Sequence, residues 1–392
     1  MPSSIIRQLA CLILILSHAS AMYAQGGHEE GFVVCLGEDT LAVERYTRSA
    51  TTLMSEIVLR VPAARRVTYT AALDPVGDVM SMDLVVTPLL ENSRLPRVSR
   101  GLLRFRGDTA DVQLTLGDST RMLKVPARPG SMPLAAFSHA LVEQAILRAS
   151  RLGLDSVAFD WVGVGAPVAY PTYVSRRKDG AVVVGFFDAP AVATMDSTGR
   201  MLALDGTATT AKVEVRRVQA PDLEHFARTF ASAEAAHGPV GRLSPRDTAW
   251  GEIGHARLMV DYGRPSRRGR VVFGQVVPWG RVWRTGANEA TQLTTDTPLV
   301  LGGERIPAGT YSLWTVPRPD GATLIVNRRT GQWGTHYERT LDLARVEMAR
   351  ETLAQPVEQF SIAIEPSADG GVLRLSWEST SYLVPVSVAI HP

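Results

Sequence analysis

Alternation of apolar and polar residues is the dominant pattern along this chain. It is clearest in residues 360–365 and 373–378, where every second residue is Phe, Ile, Leu or Trp. A period of two places the apolar residues on one face of a strand and is typical of antiparallel sheets that meet a core on one side. Shorter runs of this kind, such as residues 111–116, recur between residue 32 and about residue 217. The pattern predicts a mainly β protein.

One segment of the N-terminal part has helical spacing instead. Pro133 stands where a first-turn proline belongs, Leu134, Phe137 and Leu141 recur at intervals of three and four, and Gly153 closes the run. We therefore predict a helix that begins at Pro133, ends at Gly153 and covers one face of the N-terminal sheet.

A second helical pattern at residues 222–230 precedes the sequence Gly-Pro-Val-Gly at 238–241, which favours a domain boundary. The predicted organisation is a signal peptide (1–24), an N-terminal antiparallel sheet with one covering helix (31–218), a helical connector (219–242) and a C-terminal domain (243–392). Several short strands with almost no helical pattern favour a β-sandwich or jelly-roll-like fold for that last domain.

The first residues have the features of a secretory signal. Arg7 precedes an apolar run at 9–16, and small residues then allow cleavage after Ala21, with Ala24 as the second choice. The run is shorter than the roughly 20 residues that a spanning helix needs. We expect export to the periplasm or beyond by the general secretory route, with no membrane span after cleavage. Cleavage would also remove Cys11 and leave Cys35 as a lone, buried and inert thiol.

Charge and motifs exclude several function classes. The chain has 41 basic and 39 acidic residues, and this near balance argues against nucleic acid as a partner. No G-x-S-x-G, H-E-x-x-H, phosphate-binding G-x-x-x-x-G-K or paired-cysteine motif occurs. We therefore predict no catalytic residue, no metal site and no cofactor, and favour a non-enzymatic role. The oligomeric state stays open.

Residues 262–270 (YGRPSRRGR) place four arginines beside glycine and proline. Arg264 and Arg270 are candidates for binding a phosphate, sulfate or carboxylate, because the guanidinium fork matches planar oxyanions. The alternative, which we favour, is a solvated loop whose arginines pair with nearby carboxylates.

Residues 283–291 (WRTGANEAT) form a second candidate site. An aromatic ring beside amide and charged groups is typical of sugar-binding surfaces. The alternative is a tight turn in which Trp283 belongs to the core and Arg284 pairs with Glu289. The candidate ligand-binding residues of the C-terminal part are Arg264, Arg270, Trp283, Arg284, Asn288, Glu289, Gln332 and Trp333.

Several motifs in order carry a family resemblance. They are YGRPSRRGR at 262–270, FG at 273–274, PWG at 278–280, WRTGANEAT at 283–291, PAGTYSLW at 307–314 and QWGT at 332–335. Over about residues 243–388 the chain resembles the bacterial family called domain of unknown function 2911. The resemblance implies an exported, β-rich domain and assigns no catalytic residue. The N-terminal part resembles no family that we recognise.

Three functions compete. The first is a module that binds a small polar or anionic ligand or a glycan through the candidate residues. The alternatives are a hydrolase outside the cytoplasm, with Glu289 and His336 as acid and base, and a structural or interaction protein of the cell envelope. A further hypothesis places an apolar ligand between the N-terminal sheet and the helix at 134–147, against the simpler alternative of a helix packed on its own core.

Overall fold

The computed structural model describes residues 29–91, 98–164, 168–186 and 189–389, so the predicted signal peptide and Cys11 lie outside the described residues. The protein is 58% strand and 9% helix, in two large sheets with two helices, which confirms the predicted mainly β fold. None of the helices in the described ranges is long and apolar enough to cross a membrane.

The first sheet has 15 strands and is almost entirely an up-and-down meander. Its strands are β1 (Glu30–Leu36), β2 (Asp39–Arg48), β3 (Thr52–Leu59), β4 (Arg65–Leu73), β5 (Val79–Pro88), β6 (Val98–Arg106), β7 (Thr109–Leu116), β8 (Ser119–Pro126), β9 (Met132–Leu134), β10 (Ser156–Gly163), β11 (Ala169–Arg176), β12 (Val182–Phe186), β13 (Ala189–Met195), β14 (Met201–Asp205) and β15 (Glu214–Gln219). The strand β1 pairs with both β2 and β15 and so joins the two halves of the meander. The short strand β9 pairs with β10 in the parallel direction.

This sheet curls around one core. Apolar side chains of both halves, for example Ile57 and Leu103 from one and Val162 and Val184 from the other, belong to a single buried cluster. The curl brings Val164 so close to Gly101 that an added Cβ at Gly101 would clash with it. The helix α1 (His139–Leu152) contributes to the same cluster.

The start of α1 differs from the prediction. The helix begins at His139, with Ser138 as N-cap, while Pro133 lies in β9. Phe137 has a φ of 59°, which interrupts the helical spacing that its side chain suggested. The end agrees with the prediction: Gly153 adopts the left-handed conformation (φ 65°) and donates its N–H to the carbonyl of Ser150.

The helix α2 (Leu223–His237) follows the first sheet and is longer than predicted. The Asp222 side chain caps it by accepting from the N–H of His225 at 2.9 Å. Leu223, Ala227 and Phe230 pack on a small cluster that includes Val43 and Val58 of β2 and β3.

Cys35 differs from the expectation of a buried thiol. It is a free, half-buried cysteine in β1. Because side chains alternate along a strand, Phe32 and Val34 face the core, and Cys35 falls on the opposite face.

The second sheet has nine strands in the order β16-β17-β18-β21-β22-β23-β24-β19-β20. They are β16 (Arg246–Ile253), β17 (Ala256–Gly263), β18 (Thr291–Thr295), β19 (Leu299–Leu301), β20 (Glu304–Ile306), β21 (Gly309–Pro317), β22 (Gly321–Asn327), β23 (Asp342–Ser367) and β24 (Gly370–Val388), with a 3-10 turn at Arg339–Leu341. Two register shifts, between Thr352 and Val357 and between Val357 and Ser361, interrupt the long β23–β24 pair. Such irregularities bend a strand. The strand β16 packs against β23 and β24, and Gly251 lies directly against Ile364.

The two sheets meet at a seam formed by the β1–β2 turn and the arginine loop, which is residues 264–270. The N–H of Glu38 donates to the carbonyl of Arg268 at 3.1 Å, and the Arg268 guanidinium pairs with Asp39. Gly37 has a φ of 62°, and a Cβ there would clash with the Arg268 carbonyl. Leu243 adds to this seam by packing on the cluster of Leu36, Leu41 and Val61.

Candidate functional site

The arginines that were candidates for anion binding bond within the protein. Arg264 donates to Asp247 at 2.8 Å and to the carbonyl of Phe360 at 3.1 Å. Arg270 donates to the carbonyls of Arg267 at 2.9 Å and Ser266 at 2.8 Å. Burial and then the neighbouring charge of Arg268 lower the pKa of Arg270. These contacts hold the loop in shape beside the seam.

The segment 283–291 also makes internal contacts. The ring of Trp283 stacks on Trp377 at 5.9 Å between centroids, meets Phe360 edge-on at 5.1 Å, and its Nε1–H donates to the carbonyl of Gly286 at 3.1 Å. Asn288 has a φ of 63°, as expected for a tight turn. The indole of Trp283 thus packs against the C-terminal core.

The structure brings the second half of this segment next to residues 332–334. Glu289 and Trp333 form an isolated β-bridge, and a Cβ on Gly334 would clash with Arg284. The carboxylate of Glu289 lies 3.5 Å from the guanidinium of Arg246. Gln332 is buried and donates to the hydroxyl of Ser312 at 3.0 Å.

Five of the eight candidate residues therefore lie together, namely Arg284, Asn288, Glu289, Gln332 and Trp333. Trp283 and Arg264 instead contact Phe360, and Arg270 bonds to its own loop. A ligand-binding role for these eight residues stays a prediction, as does an acid and base role for Glu289 and His336. Among the described residues, no group of three or more His, Cys, Asp or Glu side chains is placed to hold a metal ion.

A cavity of about 190 Å³ lies in the N-terminal sheet, at the start of α1. Its floor is fully buried and includes Leu141, Trp161 and Leu204, and its rim includes the half-buried Phe137 and Phe186. The complete lining is Pro133, Leu134, Ala135, Phe137, Ser138, His139, Leu141, Val142, Trp161, Phe186, Ala191, Leu204, Gly206, Thr209, Thr210, Ala211 and Val213.

The lining is mostly apolar, and it contains no Asp, Glu, Lys or Arg. Ligand sites are commonly concave, mainly apolar and equipped with a few polar groups. The volume compares with a cavity of about 150 Å³ that stays dry and binds benzene. A single ring or a short branched chain is therefore the size of group that fits.

Trp161 is the polar residue of the floor that has no partner. It lies on β10, is 2% exposed, and stacks on Phe186 with centroids 6.2 Å apart and an interplanar angle of 7°. Its Nε1–H is buried and meets no hydrogen-bond acceptor in the described parts of the chain. An unpaired buried donor costs about 1–3 kcal/mol.

His139 lines the cavity as a neutral imidazole. Its Nδ1 lies 3.1 Å from the carbonyl oxygen of Phe137, and because a carbonyl only accepts, Nδ1 carries the proton. Burial lowers the pKa of His139 to about 4. The ring therefore adds no charge to the cavity at neutral pH.

A buried carboxylate fixes the first turn of α1. Glu44 is fully buried, and its Oε1 accepts from the hydroxyls of Ser55 at 2.7 Å and Ser138 at 2.8 Å. Its Oε2 accepts from the backbone N–H groups of His139 at 2.6 Å and Ala140 at 3.0 Å. An anion is favourable at a helix N-terminus, where N–H groups lack partners. Desolvation nevertheless outweighs these hydrogen bonds and raises the pKa of Glu44.

A second buried carboxylate holds the middle of α1. Glu143 accepts from the hydroxyl of Tyr46 at 2.6 Å, from Arg48 at 2.7 Å and from the N–H of Met201 at 2.8 Å, and it pairs with Arg217. Burial and then the charge of Glu143 raise the pKa of Tyr46. The helix is thus tied to β2, β14 and β15, so one wall of the cavity is fixed.

The sequence predicts the helix beside this cavity but not most of the cavity's other lining residues. Trp161, Phe186, Ala191 and Leu204 come from four different strands, and no local spacing joins them. The one sequence feature that pointed to this cavity was the apolar helical pattern at 134–147, on which the hypothesis of an apolar ligand was based.

Comparison with known proteins identifies the C-terminal part alone. Residues 244–386 match the family described as Protein of unknown function (DUF2911), which confirms the resemblance drawn from the sequence. The N-terminal part matches no family. No curated protein matches the chain.

Two solved structures are similar at the level of their β architecture. One is a DUF1089 family protein from Pseudomonas aeruginosa, with 15% identity and a TM-score of 0.32, over 43% of this chain and 90% of that one. The other is a β-barrel-like protein of the DUF1849 domain of unknown function from Brucella abortus, with 11% identity and a TM-score of 0.28, over 49% of this chain and 94% of that one.

Proposed function

We propose that this is an exported binding protein whose N-terminal sheet takes a small apolar ligand in the cavity at the start of α1. The observation that carries the proposal is the cavity itself, with its uncharged, mainly apolar lining and buried floor. Burial of apolar surface provides about 25 cal/mol per Å², so a ligand of one ring gains enough to bind without a charged anchor.

The cavity is a better candidate than the C-terminal segment for a physical reason. Arg264, Arg270 and Trp283 bond or pack within the protein, so a ligand there would have to replace contacts that already exist. In the cavity, a ligand would fill space and displace only solvent. A wall anchored by Glu44 and Glu143 also limits the ordering that binding requires.

Titration with ethylbenzene tests the proposal. We expect saturable binding with one site per chain, measured by calorimetry and by ligand-observed nuclear magnetic resonance. Ala191→Leu adds three carbon atoms to the cavity floor and should abolish binding. Ala72→Leu adds the same atoms at an exposed position of β4 and should leave binding unchanged.

Thermal unfolding of both variants without ligand separates lost binding from lost folding. Equal affinity of Ala191→Leu and Ala72→Leu for ethylbenzene, with both folded, would show that the ligand lies elsewhere. Absence of binding to the unsubstituted protein would refute the proposed function.

A further inference from the structure

The cavity and the seam between the two sheets share part of their packing. At the seam lies a small buried cluster, called here the seam cluster, which consists of Leu36, Leu41 and Val61. Phe137 and Val213 pack against this cluster, and both also line the cavity. Leu243 of the C-terminal part packs against the cluster as well. The seam cluster therefore joins the cavity lining to the C-terminal part.

The seam cluster adjoins the polar contacts between the sheets. Leu36 ends β1 and so precedes the turn whose Asp39 pairs with Arg268. The N–H of Arg268 donates to the side chain of Glu358 at 2.8 Å, and the Glu358 carbonyl accepts from the Nε1–H of Trp377 at 3.2 Å. Trp377 belongs to the core of the second sheet. Direct contacts thus connect the cavity lining, the arginine loop and that core.

Phe137 has a backbone conformation that aromatic residues rarely adopt. Its φ is 59°, and it lies between β9 and the N-cap of α1. Such a conformation persists only where the surrounding structure holds it. Here the His139 ring bonds to the Phe137 carbonyl, and the half-buried side chain packs on the seam cluster. Because Phe137 also borders the cavity, a ligand would add contacts that hold it in this position.

We infer that a ligand in the cavity strengthens the contact between the two sheets, because the ligand and the seam cluster hold the same side chains, Phe137 and Val213, in place. The inference rests on the proposed function and adds its regulation, since occupancy of the cavity then controls how firmly the second sheet is attached. Coupling between two sites is reciprocal for binding free energies. Packing lost at the seam should therefore weaken ligand binding as well.

Hydrogen exchange of the full chain with saturating ethylbenzene tests the effect of the ligand on the seam. Amides of the arginine loop, such as those of Arg267 and Arg268, bond to Glu358. Peptides from this loop should exchange about fivefold more slowly with ligand, which is the low end of typical allosteric coupling. Peptides from residues 299–306 are the internal control and should not change, because the β19–β20 hairpin lies at the other end of the strand order.

Leu243→Ala tests the reciprocal effect, because Leu243 packs at the seam and is not part of the cavity lining. Ethylbenzene should bind this variant about fivefold more weakly than the unsubstituted protein. Leu343→Ala is the matched control, since it removes the same atoms from a half-buried position on the core of the second sheet. Its affinity for ethylbenzene should equal that of the unsubstituted protein.

The outcomes separate this inference from the proposed function. If ethylbenzene binds but the arginine loop exchanges at the same rate, or Leu243→Ala binds as tightly as Leu343→Ala, the coupling is refuted and the cavity remains the binding site. If ethylbenzene does not bind the unsubstituted protein, both proposals fail. If Leu243→Ala unfolds, hydrogen exchange of the unsubstituted protein decides alone, and an unchanged arginine loop overturns the coupling.

Discussion

Removal of the Glu44 carboxylate is the most direct test of how α1 is held beside the cavity. In Glu44→Ala, the backbone N–H groups of His139 and Ala140 lose their acceptor in a fully buried place. The hydroxyls of Ser55 and Ser138 lose an acceptor too, but a hydroxyl can rotate toward another partner, and Ser138 already contacts Tyr69. The two backbone groups therefore determine most of the cost.

Two orphaned donors cost about 1–3 kcal/mol each, and loss of an anion at a helix N-terminus adds about 0.3–1 kcal/mol. The desolvation that raises the pKa of Glu44 offsets part of this sum. We expect a net loss of about 3 kcal/mol in the free energy of unfolding, against a total of about 5–15 kcal/mol for a typical domain. Glu44→Gln should lose only about 1 kcal/mol, because its amide oxygen can face the two N–H groups while its NH₂ donates to the hydroxyls.

Hydrogen exchange of peptides from residues 139–152 measures the loss of stability in the helix itself, and urea unfolding measures the loss for the whole protein. Protection in Glu44→Ala should fall by about a hundredfold, since about 1.4 kcal/mol corresponds to a factor of ten. Glu214→Ala is the control. Glu214 is exposed, and its ion pair with Arg216, at 3.6 Å, is also exposed and contributes little to stability. Exchange in Glu44→Ala that matches the control would refute the proposed anchoring. Equal damage from Gln and Ala would show that the charge, and not the hydrogen bonds, holds the helix.

Three further outcomes follow from single contacts. Glu143→Ala should lower the free energy of unfolding by about 3 kcal/mol, because the buried N–H of Met201 loses its acceptor and the partly buried Arg48 and Arg217 lose a shared carboxylate; a loss below about 1 kcal/mol in urea would contradict this. The pKa of His139 is lowered to about 4, so its stabilising neutral form is fully present above about pH 6.5, and up to about 3 kcal/mol is lost as pH falls toward 4. The free energy of unfolding should therefore change less steeply with pH between pH 6.5 and 4 in His139→Gln than in the unsubstituted protein. Equal pH dependence of the two proteins would contradict the prediction. Gly37→Ala should destabilise more than Gly107→Ala, because both have positive φ but only Gly37 lies against the Arg268 carbonyl; equal melting temperatures would exclude the close seam.

Where local pattern decides structure, the sequence was sufficient. The alternation at residues 360–365 and 373–378 lies in β23 and β24 as predicted, and Gly153 ends α1. The start of α1 could not be predicted, because Phe137 adopts a positive φ and because the carboxylate at the helix N-terminus, Glu44, lies 95 residues before His139. Periodicity also cannot show that Glu143 is buried, since its partners Arg48 and Arg217 come from distant strands.

The same limit explains why arginine-rich and tryptophan-rich segments suggested a ligand site, although several of their side chains already bond or pack within the protein. The type of a side chain determines which groups it can bond, but the fold determines whether those bonds are already made. Arg268 finds its carboxylate in Asp39, 229 residues away, and Trp283 finds an acceptor in Gly286. The indole N–H of Trp161 finds none in the described chain, although the residue is only 2% exposed. A cavity with an uncharged, mainly apolar lining is stronger evidence for a ligand than a cluster of donors that bond to one another, because a ligand there displaces no existing contact, and it directs the search for a ligand to the N-terminal sheet.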